Sequence, residues 1–109
     1  MKVSKELFET VQGSKFGGNV KVVIEDDMVK YYVIDASVSI SLNDFFFMCK
    51  KWAEFNCYIV KSYSYNGGLG FAEVQWMSPE NKVVKFEYVE NEQQAVFDVC
   101  HWILNKEIR

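Results

Sequence analysis

Hydrophobic positions change their spacing several times along the 109-residue chain, and each change marks an element. Val3, Leu7 and Val11 recur at helical spacing with Phe8 beside them. Ser4 suits an N-cap and Gly13 a terminator, so the pattern predicts a short helix over residues 3–12. Gly17-Gly18 marks a loop over 14–19. From Val20 the period falls to two. Val20, Val22 and Ile24 share one face of a strand over 20–25, and Glu25-Asp26-Asp27 makes a polar turn. The next run, starting at Met28, has Tyr32, Ile34, Ala36, Val38, Ile40 and Leu42 at even positions, with Asp35, Ser37, Ser39 and Ser41 between them. A single strand of this length exceeds the usual 3–10 residues or so. A break is expected near Asp35-Ala36, with the Ser-rich face of the second strand toward water.

Helical spacing returns over 43–56, behind a capping-box pattern at Ser41-Leu42-Asn43-Asp44. Phe45, Phe46, Met48, Cys49, Trp52, Ala53 and Phe55 cover one arc of this helix. Asn43, Lys50, Lys51 and Glu54 cover the other, with Phe47 in their midst. A Tyr-rich strand over 57–65, a Gly-rich hairpin loop over 66–70 and a return strand over 71–77 follow. Ser78-Pro79-Glu80-Asn81 reads as a turn. Over 83–90 Val84, Phe86 and Tyr88 share one face, and Val83, Lys85, Glu87 and Val89 the other. Asn91 caps the final helix, with Gln94 as its capping-box partner. Ala95, Val96, Val99, Cys100, Trp102 and Ile103 form that helix's apolar arc, and Gln94, Asp98, His101 and Asn105 its polar one.

The predicted order is α-ββ(β)-α-βββ-α. Strands joined by short turns pair antiparallel. The simplest arrangement is an α+β fold in one domain, residues 1–109. A single antiparallel sheet of about five to six strands carries the two longer helices on one face, with a short N-terminal helix.

Charge and composition narrow the function. The net charge is −3, eleven of the 12 basic residues are Lys, and the one Arg is Arg109. Nucleic-acid binders favour a basic patch and the bidentate guanidinium, so no nucleic-acid partner is expected. No run approaches the ~20 apolar residues of a membrane span, and the charged start MKVSKELFET does not read as a signal peptide. A cytoplasmic protein without a membrane partner is expected. Cys49, Cys57 and Cys100 are odd in number and form no C-x-x-C pair, so reduced thiols are expected, with no disulfide framework and no zinc site.

The usual reactive constellations are missing from the pattern. Cys100 and His101 diverge by about 100° on a helix and cannot form a dyad with each other. Glu25-Asp26-Asp27 lacks the spacing of a calcium loop and reads as a solvated hairpin tip. Glu73 and Glu87 fall on neighbouring strands, but nothing in the pattern joins them as an acid/base pair. Gly67-Gly68-Leu69-Gly70 leads into a strand, where a phosphate cradle would lead into a helix. No enzyme, cofactor or metal is expected.

Aromatic residues are the surplus: nine Phe, six Tyr and three Trp, 17% of the chain. Trp52, Trp102, Phe45 and Phe86 fall on predicted inner faces. Tyr58, Tyr63 and Tyr65 alternate with Ser and Lys on one strand, Tyr31 opposes the apolar parity of Tyr32, and Phe47 lies on a polar helix face. A sheet with helices on one side exposes its other side, and exposed aromatic patches mark interfaces. The pattern therefore points to a non-catalytic protein-binding module, of the kind found in inhibitor, immunity or accessory proteins. Its expected surface comprises Tyr31, Phe47, Tyr63, Tyr65 and Trp76, with Val33 beside them. Its expected partner is another protein, or a second copy in a homodimer. The alternative is a small-molecule binder or enzyme with a cavity between sheet and helices, using Tyr hydroxyls, Glu73 or His101.

Overall fold

A computed structural model describes residues 1–13, 21–33, 36–65, 68–76 and 83–107, excluding the side chains of Val33, Ala36, Val84, Phe86 and Glu107. The loop expected at 14–19 and the turn expected at 78–81 lie outside these residues. So do Val20, Ile34, Asp35 and the start of the Gly-rich loop.

The element order is α1 (Lys5–Gln12), β1 (Lys21–Glu25), β2 (Met28–Val33), β3 (Ala36–Ser41), α2 (Leu42–Phe55), β4 (Tyr58–Ser64), β5 (Gly70–Trp76), β6 (Val83–Val89) and α3 (Glu92–Glu107). The caps form as their residue types dictate. Ser4 Oγ accepts from the Leu7 N–H at 3.1 Å, Ser41 Oγ from the Asp44 N–H at 3.1 Å, and Asn91 Oδ1 from the Gln94 N–H at 2.8 Å. Each such cap contributes about 1 kcal/mol. Gly13 ends α1 with φ at 80°, and its N–H donates to the Glu9 carbonyl.

The strands do not form one sheet. They form two separate three-stranded antiparallel sheets, β1-β2-β3 and β4-β5-β6. Each of the six strands pairs antiparallel with a strand next to it in sequence. Between β3 and β4 the chain instead runs through α2, whose 14 residues span about 21 Å. The start of α2 is tied back to the first sheet, since the Leu42 N–H donates to the Asp27 carbonyl at 2.8 Å. The helix thus leaves β3 and enters β4 at separate places.

The register also corrects the expected parity of the first sheet. Tyr31 pairs with Val38 and Val29 with Ile40. Residues opposite one another in an antiparallel pair point to the same face. Odd positions of β2 therefore share a face with even positions of β3. Val29 and Tyr31 are buried, Val38 and Ile40 pack partly buried beside them, and Tyr32 turns outward. Ser37 and Ser39 meet water, as expected.

One core joins both sheets. Tyr31 stacks on Phe8 (ring centroids 5.0 Å apart), Phe8 meets Phe45 at 5.3 Å, and Phe45 meets Phe97 at 5.5 Å. This chain of rings runs from β2 through α1 and α2 to α3. Fully burying such side chains stabilises by about 1.5–3 kcal/mol each. α3 packs on β5 and β6, and α2 packs on α3 and β4. Gln94, expected on the polar arc of α3, is instead buried. It accepts from the Lys2 N–H at 2.7 Å and donates to the Lys2 carbonyl at 3.0 Å, pinning the N-terminal segment to α3. The Cα extents are 47 × 36 × 18 Å. α2 and α3 cover one face of the second sheet, and Tyr63 and Tyr88 on its other face are exposed.

Candidate functional site

The second sheet segregates its faces by parity. Tyr58, Val60, Ala72 and Val74 point toward the helices and are buried. Tyr63 and Phe71 are cross-strand partners on the opposite face, and Phe71 is in turn the partner of Tyr88. The Tyr63 and Phe71 rings stack with centroids 6.1 Å apart, and Tyr65 packs on Tyr88 at 5.9 Å. Four rings, drawn from the β4–β5 hairpin and β6, thus form one cluster on the face away from the helices. Cross-strand aromatic pairs of this kind are favourable by a few tenths to about 1 kcal/mol each. Tyr63 remains 49% exposed and Tyr88 54% exposed, so the cluster is only half satisfied by its own contacts. Lys61 and Glu73, also cross-strand partners, lie next to it on the same face.

Beside the cluster, backbone bonds tie Tyr65 to Leu69 and Gly68. The Tyr65 N–H donates to the Leu69 carbonyl at 2.7 Å, and the Gly68 N–H to the Tyr65 carbonyl at 3.1 Å. Gly70 sits where β5 meets the start of α3. A Cβ there would overlap the carbonyl carbon of Asn91 and the nitrogen of Glu92. Ser62, on the helix-facing side, donates to Glu92 Oε2 at 2.5 Å. These contacts set the height of the hairpin against α3.

The five residues expected on one surface occupy four places. Tyr63 and Tyr65 belong to the outer cluster. Trp76 is exposed, but it lies on the helix-facing side at the end of β5, where its ring stacks on Tyr58 at 6.2 Å. Phe47 is exposed on α2, edge-on to Phe46, and lines a groove of about 330 Å³ with Val11, Met48, Lys51, Trp52 and Phe55. Tyr31 is 1% exposed and belongs to the core, where its hydroxyl donates to Glu9 Oε2 at 2.7 Å. The side chain of Val33 lies outside the described atoms. Two members of the cluster, Phe71 and Tyr88, were not expected there. Placing Phe86 inward would carry Tyr88 inward as well. The signal for the opposite assignment was the hydrophobic parity of β5, since Ala72 and Val74 must face α3 and this turns Phe71 out. Phe55, placed on the inner arc of α2, is 88% exposed because it closes the last turn, beyond the packed layer.

Among the described residues, the other candidate polar groups do not converge on one site. Glu73 lies on the outer face, and Glu87, opposite Ala72, on the helix-facing one. His101 lines a groove of about 530 Å³ at the N-terminus with Ser4, Glu90, Gln94 and Asp98. Glu73 and His101 therefore stand on opposite sides of the sheet. Burial raises the Asp98 carboxyl above its ordinary value. The Gln94 amide, donating at 2.8 Å, opposes this, while Glu87 and Glu90 add to it. Cys100 is buried, with its Sγ 3.6 Å from the Cys49 carbonyl oxygen, and burial pushes the Cys49 thiol well up. Cys57 is exposed. Among the described residues no three His, Cys, Asp or Glu side chains come together as a metal site, and no helix is long and apolar enough to cross a membrane.

No protein-family model matches the chain, and no significant match was found among curated proteins or solved structures.

Proposed function

We propose that the chain is a non-catalytic protein-binding module whose contact surface is the outer face of the β4-β5-β6 sheet. The observation that carries this reading is the cluster of Tyr63, Tyr65, Phe71 and Tyr88, packed ring on ring and left half exposed. Tyr and Trp supply large contact area at low cost in side-chain entropy and dominate interface energetics. A rigid sheet holds these rings before a partner arrives, which lowers the ordering cost of binding. Lys61 and Glu73 supply a polar rim of both signs beside the cluster. An inhibitor, immunity or accessory role needs such a surface and no reactive group.

The test is quantitative affinity capture from lysate of the source cells, with the intact chain and with Tyr63→Ser/Tyr88→Ser as baits. A protein held in stoichiometric amount by the intact chain and lost by the variant supports the reading. A bait that holds no stoichiometric partner, or a partner that both baits hold equally, overturns it.

A further inference from the structure

The two sheets have four edge strands, β1, β3, β4 and β6. Exposed edges offer unpaired backbone groups to other chains, and soluble proteins guard them with charge, proline or a covering element. β1 carries Lys21 and Glu25, β4 carries Lys61, and β6 carries Lys85 and Glu87. β3, with the sequence ASVSIS, carries no charge and no proline. Among the described residues only β2 pairs with it.

The direction of its free backbone groups follows from the first hairpin. Asp26 and Asp27 both have positive φ (53° and 57°), the signature of a two-residue type I′ turn, so the flanking pair Glu25 and Met28 exchanges both hydrogen bonds. Bonding then alternates along β2. Met28, Lys30 and Tyr32 bond to β1, and Val29, Tyr31 and Val33 bond to Ile40, Val38 and Ala36 of β3. The N–H and C=O groups of Ser37 and Ser39 are left pointing away from the sheet.

We propose that β3 pairs with β3 of a second copy of this chain, antiparallel and two-fold symmetric about Val38, joining two three-stranded sheets into one of six strands. In this register Ser37 faces Ser39 of the second copy and exchanges both backbone bonds with it. Ser39 does the same with Ser37, and Val38 meets Val38. Hydroxyl meets hydroxyl and apolar meets apolar at each described position. The half-buried face of Val38 and Ile40 continues into its copy. The occupant is a second copy because the strand is its own complement under a two-fold axis, the commonest symmetry of soluble oligomers. The seam also carries no charge to repel an identical chain, although the chain as a whole bears −3. This surface is distinct from the outer face of β4-β5-β6 and does not depend on it.

The test is sedimentation velocity of the intact chain and two charged variants, S37K/S39K and S37E/S39E. The Ser37 and Ser39 side chains are exposed, so circular dichroism of the variants should match the intact chain. The intact chain is expected to move from the 12.7 kDa monomer toward twice that mass as concentration rises through the micromolar range. Each charged variant alone is expected to remain a monomer, because position 37 then faces a like charge at 39. An equal mixture of the two is expected to form a one-to-one heterodimer. An intact chain that stays monomeric, charged variants that dimerise alone, or a mixture that stays monomeric overturns the proposal. Ser39→Pro removes one outward N–H without touching a bond to β2, and it is expected to abolish the dimer at unchanged secondary structure. A dimer that survives it also overturns the proposal.

Discussion

The Tyr31 hydroxyl donates to the Glu9 carboxylate at 2.7 Å, between a strand of the first sheet and the N-terminal helix, with both residues buried. The bond holds α1 across the sheet while the Tyr31 ring stacks on Phe8. Tyr31→Phe keeps the ring and deletes the donor to a buried acidic acceptor. Urea unfolding should show a loss of about 1–3 kcal/mol. An unchanged midpoint would mean that the bond adds nothing to the fold.

Tyr31 also shows where the sequence stops being sufficient. Local signals carried the element order: Ser4, Ser41 and Asn91 as caps, Gly13 as terminator, and period-two runs as strands. These depend on neighbours a few residues apart. Whether Tyr31 faces in or out depends on its pairing with Val38, because register across the break near residue 35 inverts parity. The same limit explains the sheets. Nothing in the composition of β3 or β4 says that α2 will keep them apart. At the site, Tyr63 and Tyr65 were legible from alternation along one strand. Phe71 and Tyr88 need the cross-strand register, and for Phe47 and Trp76 the pattern shows the exposure but not the neighbours, Phe46 and Tyr58.

Gly70 and Gly13 should respond differently to a methyl group. Gly13→Ala meets no atom within 4 Å and costs only the left-handed backbone, about 1 kcal/mol. Gly70→Ala drives a Cβ into the backbone of Asn91 and Glu92, so β5 and α3 must separate. The cost is expected at about 1–3 kcal/mol or more, read as a drop in thermal midpoint of about 4–8 °C per kcal/mol. Equal drops for the two variants would contradict the close approach.

Asp98 should make stability depend on pH. Burial raises its carboxyl in the folded state, so the folded chain holds that proton more tightly than the unfolded one. Its contribution is greatest below the ordinary aspartate value of about 3.9, and it is lost as pH rises through the raised folded value. Asp98→Asn keeps an oxygen for the Gln94 amide and removes the titration. The variant's urea midpoint should gain on that of the intact chain as pH climbs from 4 to 7. Parallel profiles would show that Asp98 is not perturbed.

The three thiols should separate under a thiol reagent. Cys57 is exposed, whereas Cys49 and Cys100 are buried and burial holds the Cys49 thiol in its protonated form. Since the thiolate is the reacting species, the native chain should release one equivalent quickly and all three only in denaturant. Rapid release of two or more from the native chain would mean that the α2–α3 packing opens readily.

The proposed function places the binding energy on the outer face of β4-β5-β6. Titration calorimetry of the captured partner against single-alanine variants measures where that energy lies. Tyr63→Ala and Tyr88→Ala are each expected to weaken binding about tenfold or more, as interface hot spots do, while Phe55→Ala on the exposed end of α2 leaves it unchanged. Full affinity in both tyrosine variants, with loss confined to Phe55→Ala, would place the surface on the α2 groove and overturn the proposed function.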